Sequence, residues 1–264
     1  MKRLIVFVAP VALLLPGMAT AQSAFDGTWK IDINKAAFDK KPDVFILKDG
    51  MYSCKTCVPA YTVKADGSDQ PVAGHPYFDS VAIKVVSDHE IQETDKKGGK
   101  TVATSTSKVS ADGNTTMFSF VDSSNTNGGP PVTGKGEAVR VAPGPTGSSA
   151  LSGSWQMKKI EGLSDNGTTT KYMVMGNEFM MSSPTGQSYT AKLDGTEAPM
   201  KGDPGVTSVM VKMPGKNMLE ETDKRDGKVI GVFKMTIEAD GKTAKATYDD
   251  LLMHRTTAFV MLKQ

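Results

Sequence analysis

The chain is a duplication, and that fact constrains its fold more than any other feature. Residues 61–117 align with residues 189–245 at a constant offset of 128, without gaps, and 21 of the 57 aligned positions are identical. Tyr61-Thr62-Val63-Lys64-Ala65-Asp66-Gly67 matches Tyr189-Thr190-Ala191-Lys192-Leu193-Asp194-Gly195. Glu93-Thr94-Asp95-Lys96 matches Glu221-Thr222-Asp223-Lys224, and Ala111-Asp112-Gly113 matches Ala239-Asp240-Gly241. Each copy opens on a Gly-x-Trp, at Gly27-Thr28-Trp29 and Gly153-Ser154-Trp155. A repeated sequence must build the same framework twice, so whatever one copy folds into, the other does too. The Pro/Gly/Ser-rich stretch 142–150 reads as a linker. The expected organisation is therefore a unit over 22–141, the linker, and a second unit over 151–264.

Both units read as antiparallel β. Asp-Gly, Gly-Gly and Gly-Asn dipeptides recur at Asp49-Gly50, Asp66-Gly67, Gly98-Gly99, Asp112-Gly113, Gly176-Asn177, Asp194-Gly195, Asp226-Gly227 and Asp240-Gly241. These pairs accept the positive φ angles of tight hairpins. Alternating segments such as Val81–Val85, Val209–Met213 and Val229–Ile237 lie between them. About eight hairpin-linked strands per unit favour an up-and-down β-barrel, because closure removes exposed sheet edges. The expected fold is all-β, two barrels in tandem.

The first 21 residues read as a signal peptide. Lys2 and Arg3 precede the apolar run Leu4–Leu15, which is too short to span a bilayer of roughly 30 Å. Ala19-Thr20-Ala21 then places small residues where a signal peptidase reads. The expected protein is exported, periplasmic or extracellular. Loss of Lys2 and Arg3 lowers the 31 basic residues to 29, equal to the 29 acids. A neutral chain of interspersed charges gives no electrostatic footprint for nucleic acid or an anionic membrane. Nor do short strands with Lys and Thr on both faces suit a barrel that inserts into a membrane.

Export sets the context of Cys54 and Cys57. In an oxidising compartment the favoured reading is a local disulfide pinning a tight turn. Redox and metal readings stand beside it with less support: the flanks are strand and turn, and a second metal-ligand pair is missing.

The order and doubling of these motifs resemble the lipocalin-like secreted proteins of bacteria. The shared pattern is Gly-x-Trp on the first strand, the Asp-Gly…Gly-x-Pro block, the acidic-then-Lys-rich hairpin and the Ala-Asp-Gly before a late strand. The resemblance implies a basic residue on each unit's last strand covering the Trp of that unit. Arg140 fits that place for Trp29, and Lys263 for Trp155.

No catalytic constellation is visible. The three His are scattered, and no Gly-x-Ser-x-Gly elbow occurs. The pairs Glu93/Asp95 and Glu221/Asp223 recur in both copies beside Lys-rich turns, so they read as cross-strand surface charge pairs. His75, in a Gly-x-Pro sequence, reads as a surface turn. The loop 123–131 reads as a flexible connection, or as a rim over the first barrel's mouth. Met is asymmetric: of 14 in the chain after residue 21, 12 fall in the second unit. Met173, Met175, Met180 and Met210 are expected to line an adaptable apolar pocket or core, with soft-metal ligation a minor alternative. These features predict a non-enzymatic barrel without cofactor or metal. Its expected partner is a small apolar ligand; the alternative is a ligand-free structural or interaction protein of the envelope.

Overall fold

The computed structural model describes residues 23–264; the expected signal peptide lies outside the described residues. The fold is all-β, with two antiparallel ten-stranded sheets that each curl into a nearly closed barrel. The expected count of about eight strands per unit is corrected to ten. The two extra strands come from short segments, such as Gln70–Pro71, that lack the alternating pattern by which strands were recognised.

The first barrel contains β2 (Asp43–Lys48), β3 (Met51–Cys54), β4 (Tyr61–Lys64), β5 (Gln70–Pro71), β6 (Ser80–Ser87), β7 (Glu90–Lys97), β8 (Lys100–Val109), β9 (Thr115–Asp122), β10 (Val132–Pro143) and β11 (Gly153–Leu163). The second contains β1 (Gly27–Ala37) with β12 (Thr169–Met175), β13 (Glu178–Ser182), β14 (Ser188–Lys192), β15 (Asp194–Pro199), β16 (Ser208–Gly215), β17 (Met218–Arg225), β18 (Lys228–Ile237), β19 (Thr243–Asp250) and β20 (Arg255–Lys263). The ends of each sheet meet. Asp66, just after β4, bridges Lys84 on β6, and Ser188 on β14 bridges Lys201 just after β15.

The boundaries of the two barrels are not those of the sequence repeat. The opening strands are exchanged. β1 pairs with β12 and β20, whereas β11 pairs with β10 and β2. The expected units over 22–141 and 151–264 therefore each donate their first strand to the other barrel. The stretch 142–150 does not separate two domains: it runs from the end of β10 into the connection to β11, its neighbour in the first barrel. The chain passes between barrels at residues 38–42 and 164–168 instead. β11 follows β10 in the chain and pairs with it from Gly134–Leu163 to Pro143–Gly153, so that hairpin stays together, and β1 takes the matching slot beside β20.

This exchange is directly testable. Thr28 faces Lys171 across β1 and β12, whereas in an unexchanged fold it would face Val44, as Ser154 does here. The double substitution Thr28→Cys/Lys171→Cys is expected to form an intramolecular disulfide in oxidised monomer, and Thr28→Cys/Val44→Cys is not. Peptide mapping of the two oxidised variants reads the result, and cross-linking of the second pair alone would reject the exchange.

The same chemistry closes both barrels. Trp29 is fully buried and its indole N–H donates to the Phe25 carbonyl at 2.8 Å. Trp155 does likewise to Leu151 at 2.9 Å. A cation covers each ring. The Lys263 ammonium lies 5.4 Å from the centre of Trp29, and the Arg140 guanidinium lies 4.1 Å from that of Trp155. The expected pairing of Arg140 with Trp29 and of Lys263 with Trp155 is corrected, because each cation meets the Trp that the strand exchange brings to it. Arg140 also donates to the carbonyls of Ala150 and Ser152, and Lys263 to that of Ala24. The glycine of each Gly-x-Trp is required here. Gly153 sits at φ 144°, and a Cβ on it would lie 2.6 Å from the Ala142 carbonyl oxygen and 2.5 Å from the Arg140 guanidinium.

The barrels touch through polar contacts. Arg255 at the start of β20 pairs with Asp43 on β2 at 2.8 Å. The loop 123–131 does not rim the first barrel's mouth; it docks on the second barrel. Asn127 donates to the carbonyls of Thr185 and Gly202 at 2.8 and 2.9 Å, and Gln187 donates to that of Asn125 at 2.6 Å. Tyr77 and Asn125 both donate to Asp203, each at 2.9 Å.

Candidate functional site

Comparing the two lumens strand by strand separates scaffold from candidate site. On β18 of the second barrel, Phe233 and Met235 point inward, and on β20 Phe259 and Met261 do the same. The matching positions of the first barrel are Ser105 and Ser107 on β8, and Gly136 and Ala138 on β10. Only part of that volume is returned from the strand between. Phe118 faces Ser107 and Gly136 where Ala246 faces Met235 and Phe259. The Phe118 ring leaves no room for a side chain at Gly136, whose Cβ would sit 2.6 Å from it. Trading four large side chains for Ser, Ser, Gly and Ala leaves space that one Phe does not fill. Cores pack to near-crystalline density, so such an omission registers as a cavity.

The first barrel holds that cavity, of about 340 Å³. It runs from Trp155, Leu151 and Ala138 to Tyr61 and Glu93, past Phe45, Tyr52, Ile91, Phe118 and Phe120. The size falls at the low end of ordinary small-molecule sites, roughly 300–1,000 Å³. Phe45, Tyr52 and Tyr61, on the adjacent strands β2, β3 and β4, form one aromatic arc. Ring centres along it lie 6.1 and 6.4 Å apart. The Cys54–Cys57 disulfide closes the turn between β3 and β4, and Cys57 contributes to the cavity wall. Among the described residues no free cysteine remains.

Glu93 and Asp95 are not surface charge pairs. Alternation along β7 turns both inward on the face that carries the core residue Ile91. Tyr61 donates its hydroxyl to Glu93 at 3.0 Å, and among the described residues neither acid has a cationic partner. One Asp95 oxygen is buried without any hydrogen bond. Burial pushes Glu93 above the usual carboxylate range. It pushes Asp95 up to about 8, the charges of Glu93 and Asp122 adding to the effect. Burial, and then Glu93, raise the Tyr61 hydroxyl. The second barrel repeats the pattern. Tyr189 donates to Glu221, which is 8% exposed beside Asp223 at 7%. Glu221 is raised by burial and by Asp223, and burial pushes Asp223 up to about 6. There the pair lines an open pocket of about 420 Å³ with Tyr172, Phe233 and Tyr248.

His75 is not a plain surface turn. Its ring stacks on Phe78 at 4.6 Å and meets the Tyr61 ring edge-on at 5.6 Å. Its aligned partner Asp203 anchors the contact between barrels instead, so one turn of the repeat has taken two different tasks.

The expected pocket methionines lie outside the barrel lumen. Met173 and Met180 are cross-strand partners on the outer surface of β12 and β13, where they line an open pocket of about 390 Å³. Met175 is exposed, and Met210 alternates outward between the buried Val209 and Val211. The inner positions belong to Tyr172, Val174, Phe179 and Met181. A shift of one residue along a strand exchanges its faces, and composition alone does not reveal which face is inside.

The cavity combines a largely aromatic wall, the serine hydroxyls of Ser105 and Ser107, and a buried carboxyl held by a tyrosine. Its volume is in the range of sites that hold compact organic molecules. Sequence reasoning missed it although the signal was present: Ser105, Ser107 and Ala138 are small where the second copy carries Phe, Met and Met. No helix among the described residues is long and apolar enough to cross a membrane. No family model matches the chain, and no curated protein matches it.

Proposed function

We propose that the protein is an exported, non-enzymatic, lipocalin-like β-barrel protein that holds a small, mainly apolar ligand in its first barrel. The observation that carries this reading is the 340 Å³ aromatic-lined lumen left by Ser105, Ser107, Gly136 and Ala138. The leader-like segment with Lys2, Arg3 and Ala19-Thr20-Ala21 supports export, and the Cys54–Cys57 bond fits an oxidising compartment. The second barrel, whose core is packed around Phe25, Phe179, Leu219 and Met235, serves as scaffold to the first.

The test restores the missing volume. Ser105→Phe places in the first barrel the side chain found at Phe233, opposite Phe120 as Phe233 stands opposite Tyr248. Native mass spectrometry of protein purified from its own compartment is expected to show a reproducible extra mass on the wild type. The Ser105→Phe variant should lose it while keeping its melting temperature within a few degrees. A packed barrel core is also what a ligand-free envelope protein would have, and the second barrel favours that reading for its own half. Absence of extra mass, with Ser105→Phe markedly more stable than wild type, would extend that reading to the whole chain.

A further inference from the structure

Resting on that proposed binding reading, we infer that the first barrel selects a ligand carrying a positively charged amine or quaternary ammonium group next to an apolar body. The cavity's charged lining consists of two carboxyls, Asp43 and Glu93, and no cation. Asp43 is already paired with Arg255 at 2.8 Å and accepts a hydrogen bond from Thr56 at 3.3 Å. Glu93 is not paired. Its one partner is the neutral Tyr61 hydroxyl, and Asp95 on the same face of β7 lacks a cation as well. A carboxyl withdrawn from water without a counter-charge is costly, and a ligand cation supplies that counter-charge.

The aromatic wall adds a second reason. Tyr61 donates its hydroxyl to Glu93 and its ring continues the arc through Tyr52 to Phe45. Phe118 and Phe120 stand on β9, three strands round the sheet from β2. Ring faces attract cations, and cages of this composition recognise alkylated ammonium groups. An anionic ligand would meet the opposite: an unpaired carboxyl, and no Lys, Arg or His in the lining. The second barrel carries the same carboxyl pair in a more open pocket of about 420 Å³, whose lining also holds the polar residues Asn125, Gln187 and Asp203 of the contact between barrels, so the two copies can be compared directly.

Calorimetric titration with three probes of similar shape tests this. They are benzyltrimethylammonium, its uncharged carbon isostere neopentylbenzene, and phenylacetate. The cation is expected to bind at least tenfold more tightly than the isostere, with phenylacetate weaker than both. Glu93→Gln should bring cation and isostere within about threefold of each other, by removing the carboxyl that ionises against a bound cation while keeping the shape. Glu221→Gln, the same change in the second barrel, should leave the tenfold preference intact. Tyr61→Phe, which keeps the carboxyl and frees it of its donor, should keep or increase the preference, and so provides a reading independent of the folding of Glu93→Gln. Equal affinity for cation and isostere, tighter binding of phenylacetate, or a preference that survives Glu93→Gln would overturn the inference. Binding of the isostere without cation preference overturns this inference alone; failure of all three probes overturns the cavity reading with it.

Discussion

Trp29→Ala is expected to destabilise the protein by about 3–5 kcal/mol, the usual range for emptying a large aromatic from a core, and to do so in the second barrel. The residue lies in the first copy of the repeat, yet its indole packs with Phe25, Tyr172 and Phe179 beneath Lys263. Amide hydrogen exchange locates the damage. Protection should fall first in β12–β20, while β2–β10 retain theirs. Trp155→Ala should give the reverse, with Arg140 left over an empty space. Loss of protection beginning in β2–β10 on substituting Trp29 would contradict the strand exchange, as would a total change below about 1 kcal/mol for the plug assignment.

Stability is expected to fall as pH rises from about 4 to 8, the reverse of ordinary acid denaturation. Asp95 is raised in the folded barrel from 3.8 to about 8, and Asp223 from 3.8 to about 6, burial leading in both. Between the unfolded and folded values the native state holds more protons than the unfolded chain, so the slope of stability with pH is negative. The contribution is fully present below about pH 4 and is lost as pH passes the folded values. Each pKa unit corresponds to about 1.4 kcal/mol, so the total loss amounts to several kcal/mol. Glu93 and Glu221 shift in the same direction. The acid limb has the opposite sign. Hydrogen bonds from Ser68, Ser110 and Thr196 hold Asp66, Asp112 and Asp194 below their usual range, and that stabilisation disappears below about pH 4. Urea midpoints measured from pH 3 to 9 should therefore peak near pH 4–5. Asp95→Asn should flatten the decline between pH 6 and 8, and Asp223→Asn the decline between pH 4 and 6. A midpoint that rises steadily from pH 5 to 8 would show that these carboxyls are ionised in the folded protein.

Both expectations turn on pairs of residues that the repeat makes visible and whose surroundings it hides. The Gly-x-Trp motifs, the Asp-Gly turns and the doubled Glu-x-Asp were legible, because turn geometry and strand alternation are local properties written every two to four residues. Glu93 and Asp95 were misread because an acid beside a Lys-rich turn looks like a surface pair. The face it occupies depends on the register of β7 against β6 and β8. The outward-facing Met173, Met175, Met180 and Met210 failed for the same reason: in β12, β13 and β16 the core row is supplied by Tyr172, Val174, Phe179, Val209 and Val211. The cavity itself was within reach of the sequence. The alignment already set Ser105 against Phe233 and Ser107 against Met235, and a loss of volume in one copy of a repeated core is a signal of a hollow.

By itself, the amino-acid sequence determined that the chain is all-β and that it builds one framework twice, each opening on a Gly-x-Trp. Periodicity and turn chemistry act over a few residues and need no distant partner. Only the tertiary structure decided which tryptophan meets which cation and which acids are inside. In a duplicated chain either opening strand matches either barrel in register and pattern, so local preferences are nearly degenerate. The choice falls to pairing between whole strands, where the long β10–β11 ladder from Gly134 to Pro143 keeps that hairpin together and leaves β1 to the far barrel.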